Sequence, residues 1–165
     1  MPSNNRKERD KPPAIPSIGA EVDQKFLKSF YPKPTKEMKW VYSMKINIQG
    51  IDINAELIME VISLEGDNVK IRTRMGEQSF ENTVSLDAFA PVPSHSKENN
   101  STGFRYDGYE DIKVPYGSFS DVAKLSTNGP DGQSYLWLAP EVGPLKFGIK
   151  AGGIPATLEL KEFIK

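Results

Sequence analysis

"MKWVYSMKINIQGIDINAELIMEV", residues 38–61, decides the fold. Its even positions run Met38, Trp40, Tyr42, Met44, Ile46 and Ile48, all apolar, while Lys39, Ser43, Lys45 and Asn47 occupy odd ones and Val41 is the exception. A period of two is the repeat of a β-strand with one buried face. After Gln49-Gly50 the parity inverts. Ile51, Ile53, Ala55, Leu57, Met59 and Val61 now face one way, and Asp52, Asn54, Glu56 and Glu60 the other. Two long strands joined by a tight glycine turn account for both the period and its inversion.

The pattern extends in both directions. "EGDN" (65–68) supplies a second turn, after which Val69, Ile71, Thr73 and Met75 alternate with Lys70, Arg72 and Arg74. Residues 78–89 read as a fourth strand with weaker alternation. "APVPSHSKENNSTG" (90–103) reads as a polar surface loop, and strands resume at about 108–114, 118–126, 133–139, 145–150 and 156–164. Upstream, Val22, Phe26 and Phe30 recur every four residues beside Leu27 and Tyr31, which predicts a short amphipathic helix over 21–31, ended by Pro32. Residues 1–20, rich in proline and alternating charge, predict a flexible tail. The fold expected is mainly β: a strongly curved antiparallel sheet of about eight or nine strands, a half-barrel or incomplete barrel, packed on one short helix. Residues 21–165 would form one domain, with the sheet over 38–164.

"YLWLAPEVGPLKFGIK" (135–150) tests that frame, because Tyr135, Leu136, Trp137 and Leu138 are apolar in succession. So short a run is far below the roughly 20 residues of a membrane helix. It reads as a strand buried on both faces, halted at Pro140, reversed at Gly143-Pro144, and returned through Leu145, Phe147 and Ile149.

Composition narrows the function classes. Among 165 residues, 21 Lys and Arg offset 22 Asp and Glu, so net charge offers no general attraction to nucleic acid or to an anionic membrane. The absence of cysteine removes disulfides, thiolate metal sites and a cysteine nucleophile. No apolar run is long enough for a membrane span, and no signal-like segment follows Met1. That fits a cytoplasmic protein if this N-terminus is native, or an exported one whose signal has been removed.

Three motifs carry a resemblance. "FYPKPTKEMKWVYSMKI" (30–46), "GYEDIKVPYGSFSDVAKL" (108–125) and "WLAPEVGPLKF" (137–147), with "LELKEF" (158–163) closing, resemble in order the motifs of the TapB-like group of uncharacterised bacterial envelope domains. The likeness spans about residues 29–165. Tyr116, Glu141 and Pro144 depart from the pattern at its turns. What the resemblance implies is a half-barrel like that of the periplasmic lipoprotein carriers, an exported and often lipidated protein, and no established activity.

Catalytic groups are sparse. His95, the one histidine, sits in the polar loop beside Ser94, Ser96 and Glu98, where neighbours in sequence hold no nucleophile–base geometry. Asp107, Glu110 and Asp111 lack the ligand order of a calcium loop, "NGPDGQ" (128–133) reads as a hairpin turn, and "GGIP" (152–155) lacks the Lys-Ser/Thr of a phosphate loop. No catalytic residue, metal or cofactor is expected. Trp40, Tyr42, Met44, Met59, Met75, Phe119, Trp137 and Phe147 are expected on the concave side. They are either the core of a curved sheet or the lining of a cavity for a lipid or another hydrophobic molecule. The preferred reading is a non-enzymatic envelope protein that binds such a ligand. The alternative is an accessory module with a filled interior and an envelope protein partner, and a hydrolase is a distant third. If Trp137 is core, Trp137→Ala should cost about 3–5 kcal/mol.

Overall fold

A computed structural model describes residues 15–91, 103–129, 132–151 and 153–165. The opening stretch forms β1 (Lys39–Ile48) and β2 (Ile51–Glu65), paired antiparallel with Ile48 opposite Ile51 and Trp40 opposite Met59. In that register every even residue of β1 faces an odd residue of β2, which is why the apolar parity switches at the turn. Gln49 (φ 52°) and Gly50 (φ 83°) both take the left-handed conformation that lets a two-residue turn match the twist of its strands.

The remaining strands are β3 (Asn68–Met75), β4 (Gln78–Ser85), β5 (Arg105–Val114), β6 (Gly117–Gly129), β7 (Gly132–Ala139), β8 (Gly143–Ala151) and β9 (Ile154–Ile164). They form one open nine-stranded sheet in the order β4-β3-β2-β1-β9-β8-β7-β6-β5. Two antiparallel meanders, β1–β4 and β5–β9, therefore meet along a central seam where β1 pairs with β9. The fourth strand stops at Ser85, short of the expected 89. Ser85 Oγ accepts a bond from the Asp87 amide, and a 3-10 turn, Leu86–Ala88, leads the chain off the sheet so that Phe89 is buried.

The predicted helix over 21–31 is shorter. Asp23 caps it by accepting a 2.8 Å bond from the Phe26 amide, and α1 spans only Gln24–Lys28. Phe26 and Leu27, with Phe30 and Tyr31 in the turn beyond, bury against the sheet. Residues just before α1 are extended. The Gly19 amide donates to Tyr106 O (2.7 Å), the Tyr106 amide to Ala20 O (3.0 Å) and the Val22 amide to Phe104 O (2.9 Å), so part of the expected tail lies along the start of β5. Residues 1–14 lie outside the described residues, as does most of the polar loop.

Two corners position the interior. β8 begins to pair with β9 only at Lys146, so Gly143 and Pro144 pair with β7 alone and leave the corner free to fold over β1. β5 carries two register shifts against β6, and the Tyr116 amide at that hairpin's tip donates to Leu160 O of β9 at 2.9 Å.

Candidate functional site

The apolar face of β1 divides into two parts. In its first half Trp40 and Tyr42 have no exposed surface and Met44 has 6%. Trp40 Nε1 donates to Val142 O (2.7 Å) and the Tyr42 hydroxyl to Pro144 O (2.7 Å), so the β7–β8 corner folds over this half and uses both polar atoms. Phe163 stacks on Trp40 with centroids 5.4 Å apart, and Tyr31 and Phe89 close the remaining sides at 6.4 and 6.3 Å. The corner fits tightly: Gly143 (φ +94°) lies where a Cβ would come within 3.0 Å of the Tyr31 ring. Burial raises the pKa of the Tyr31 hydroxyl well above 10.0, and it raises that of Tyr42 likewise, with the Tyr31 charge adding to the effect.

Met59 lies opposite Trp40, and Phe147 is linked to Met44 through Leu158 of β9. All three are buried. Five of the expected residues, Trp40, Tyr42, Met44, Met59 and Phe147, thus come together as closed core. Phe119 is partly buried and stacks on Tyr116 at 6.1 Å. Met75 is exposed at the end of β3, level with Tyr42 but two strands away.

Trp137 is a correction to the expected placement. It alternates with Leu136 and Leu138, which are fully buried, and so projects to the opposite face of the sheet. There it pairs across strands with Lys124 and Lys146, whose ammonium groups stand 5.6 and 5.1 Å from its ring, and its Nε1 donates to Glu110. The run Tyr135–Leu138 is a one-sided strand whose outward aromatics are half-buried under lysine stems.

In the second half of the face the cover ends. Ile48, Ile51, Ile53 and Ile154 are 37–67% exposed. Their register joins them: Ile48 faces Ile51, Ile53 faces the half-buried Ile46, Ile46 faces Ala156, and Ile154 precedes Ala156 by two on β9. Met75, opposite Leu57, and Phe80, opposite Thr73, are also exposed on this side, but they stand level with Tyr42 and Trp40 on the outer strands β3 and β4. The isoleucines share the side of Trp40 and continue its core into solvent.

Two clefts open elsewhere. One of about 340 Å³ is lined by Lys28, Tyr31, Pro32, Lys33, Pro34, Leu86 and Phe89. The other, of about 290 Å³, is lined by Ala55, Glu56, Ile58, Arg74 and Gly76. Among the eight expected residues, none lines either. Among the described residues no group of acidic or histidine side chains is placed to hold a metal. Glu110 is engaged by Trp137, and Asp111 accepts a bond from the Asp121 amide. His95, Ser94, Ser96 and Glu98 lie outside the described residues, as do Pro130, Asp131 and Gly152 of the two turn motifs. Sequence reasoning missed the exposed isoleucines as a group. Their signal was present, since the stripe on β1 and β2 is longer than a two- to three-turn helix covers.

No family model matches the chain, and no curated protein matches it. Solved structures do. A Parabacteroides distasonis protein described as a lipoprotein is 14% identical, with a TM-score of 0.50 over 82% of this chain and 98% of that one. A Bacteroides fragilis protein described as exported, with a YmcC-like fold, is 12% identical, with a TM-score of 0.49 over 82% of this chain and 99% of that one. A Vibrio parahaemolyticus domain described as lipoprotein-sorting is 10% identical, with a TM-score of 0.33 over 81% of this chain and 86% of that one. The Parabacteroides structure shows a shared fold. Membership of the TapB-like group receives no support from a family model.

Proposed function

We propose that this chain is a non-enzymatic domain of the bacterial envelope that shelters the apolar part of a lipid on the open half of its sheet face. The observation that carries this reading is the field of Ile48, Ile51, Ile53 and Ile154, exposed on the same side as a closed core. A contiguous apolar patch on a folded domain marks an interaction site. Each methylene buried there contributes about 0.8 kcal/mol, so a chain of a dozen carbons offers several kcal/mol before the cost of ordering it.

Two further observations support the frame. The Tyr116–Leu160 bond joins strands three positions apart in the sheet order, which a half-barrel allows and a flat sheet does not. A structure sharing the fold is described as a lipoprotein, which supports placing this domain at the envelope.

A second reading is a module that binds another protein, and the complete burial of Trp40, Tyr42 and Met59 favours it. Native mass spectrometry of protein made with an envelope-directing signal, followed by organic extraction, separates the two. A lipid-sized extra mass that disappears in Ile51→Asp/Ile53→Asp but persists in Trp137→Ala is expected. A clean mass with no binding of a fluorescent fatty acid would overturn the lipid reading and leave the protein-binding one.

A further inference from the structure

Two covers lie over the closed half of the sheet face, and they are held unequally. The β7–β8 corner receives side-chain bonds from Trp40 Nε1 and the Tyr42 hydroxyl, and Ala139 and Leu145 within it are buried. The other cover is the far end of the β5–β6 hairpin. β7 pairs with β6 from Gly129 back to Ala123, so residues 112–121 run beyond the end of β7 as a two-stranded ribbon. A ribbon of that kind is marginally stable at best on its own. Among the described residues one backbone bond ties it to β9, from the Tyr116 amide to Leu160 O at 2.9 Å. The Tyr116 ring stands edge-on to Phe163 with centroids 6.5 Å apart, and of residues 112–119 only Val114 is buried.

The base of the ribbon is irregular on both strands. Glu110 is opposite Val122 and Ile112 is opposite Phe119, which leaves Asp111 on β5 and Ser120 and Asp121 on β6 out of register. Asp121 takes the left-handed conformation (φ 56°), and its amide donates to the Asp111 carboxylate at 3.1 Å. A bulge of this kind bends a ribbon, and a few such residues can absorb the change of backbone angle at a hinge.

We propose that residues 112–119 form a flap, hinged at Asp111 and Asp121, whose lifting from β9 opens the closed half of the face. Phe163 links the two. It meets the Tyr116 ring and also stacks on Trp40, so a lifted tip frees the ring that shields the indole. Leu160, which holds the tip, is opposite Tyr42 of β1, so the flap sits at the same end of the face as the two buried aromatics. With few buried apolar contacts and one backbone bond, it is the cover that opens at the lower cost. The flap rests on the lipid reading only for what enters: an apolar chain lodged on the isoleucines would then extend toward Trp40 and Met59.

The chain has no cysteine and two tryptophans, Trp40 and Trp137, so both ends of the motion can be read. In the full chain carrying Trp137→Phe, the thiol of Val114→Cys should react with a disulfide reagent about a hundredfold or more faster than that of Leu136→Cys. The first needs only the flap to lift, whereas Leu136 has no exposed surface and needs the sheet itself to open. Asp111→Ala, at an exposed position, should speed the Val114→Cys reaction and raise acrylamide quenching of Trp40 severalfold, while Asp111→Asn, which keeps an acceptor oxygen, should do neither. The quenching is read with Val114 in place, so it stands even where a thiol variant fails to fold. Equal rates for the two thiols, or a faster Val114→Cys reaction with Trp40 still unquenched, would overturn the flap. Lifting in a protein that retains no fatty-acid probe would support the flap and sink the lipid reading alone. A retained probe with equal thiol rates would sink the flap alone.

Discussion

The two halves of one sheet face differ only in what lies over them. Trp40, Tyr42 and Met44 occupy the same stripe of β1 as Ile46 and Ile48, yet the first three are buried and Ile48 is 38% exposed. α1, Phe89 and the β7–β8 corner all gather over the first half. Apolar character alone therefore does not distinguish core from site in this protein. The difference lies in reach, because a five-residue helix is about 7–8 Å long while β1 runs for some 33 Å.

The largest effect should come from breaking the closed half. Trp40→Ala removes a ring with no exposed surface and orphans Val142 O, and should cost about 3–5 kcal/mol in urea unfolding. Tyr42→Phe keeps the ring and removes only the bond to Pro144 O, so about 1–3 kcal/mol is expected. The same variant sharpens the pH response. The folded-state pKa of Tyr42 is raised, so the stability from its neutral hydroxyl is complete below the ordinary value of 10.0 and is lost as pH climbs above it. Wild-type stability should fall steeply above about pH 10, and Tyr42→Phe should show a shallower fall.

Trp137→Ala should cost about 1–2 kcal/mol, since the ring is half-buried among lysine stems on the other face. A loss as large as that of Trp40→Ala would mean the ring is core after all. Smallest of all, Ile53→Asp in the open half should move stability by about 0.5 kcal/mol or less while abolishing retention of a fatty-acid probe. If stability falls and binding holds, the comparison between the halves is reversed.

The architecture was largely legible. Period-two alternation located the strands, and the parity switch at Gln49-Gly50 announced a tight turn. Strand ends were less legible, because β4 stops where Ser85 caps a 3-10 turn, a local side-chain bond without a periodic signature. Trp137 was misplaced for a definable reason. Four apolar residues in a row hide which parity faces inward, and only the pairing with Lys124 and Lys146 reveals it. Five members of the expected site lie together in the core, and whether a lipid would find them open depends on the β7–β8 corner. That corner reaches Trp40 and Tyr42 from 102 residues away, and no local pattern encodes such a contact.

The seam between β1 and β9 bears on how the chain folds. The first and last strands are neighbours at the centre of the sheet, so the β1–β4 meander lacks one flank until residues 154–164 have left the ribosome. Contacts of such high sequence separation make folding slow. The two meanders should therefore join only once β9 is available, and deleting that strand should split the sheet at its middle rather than trim its border.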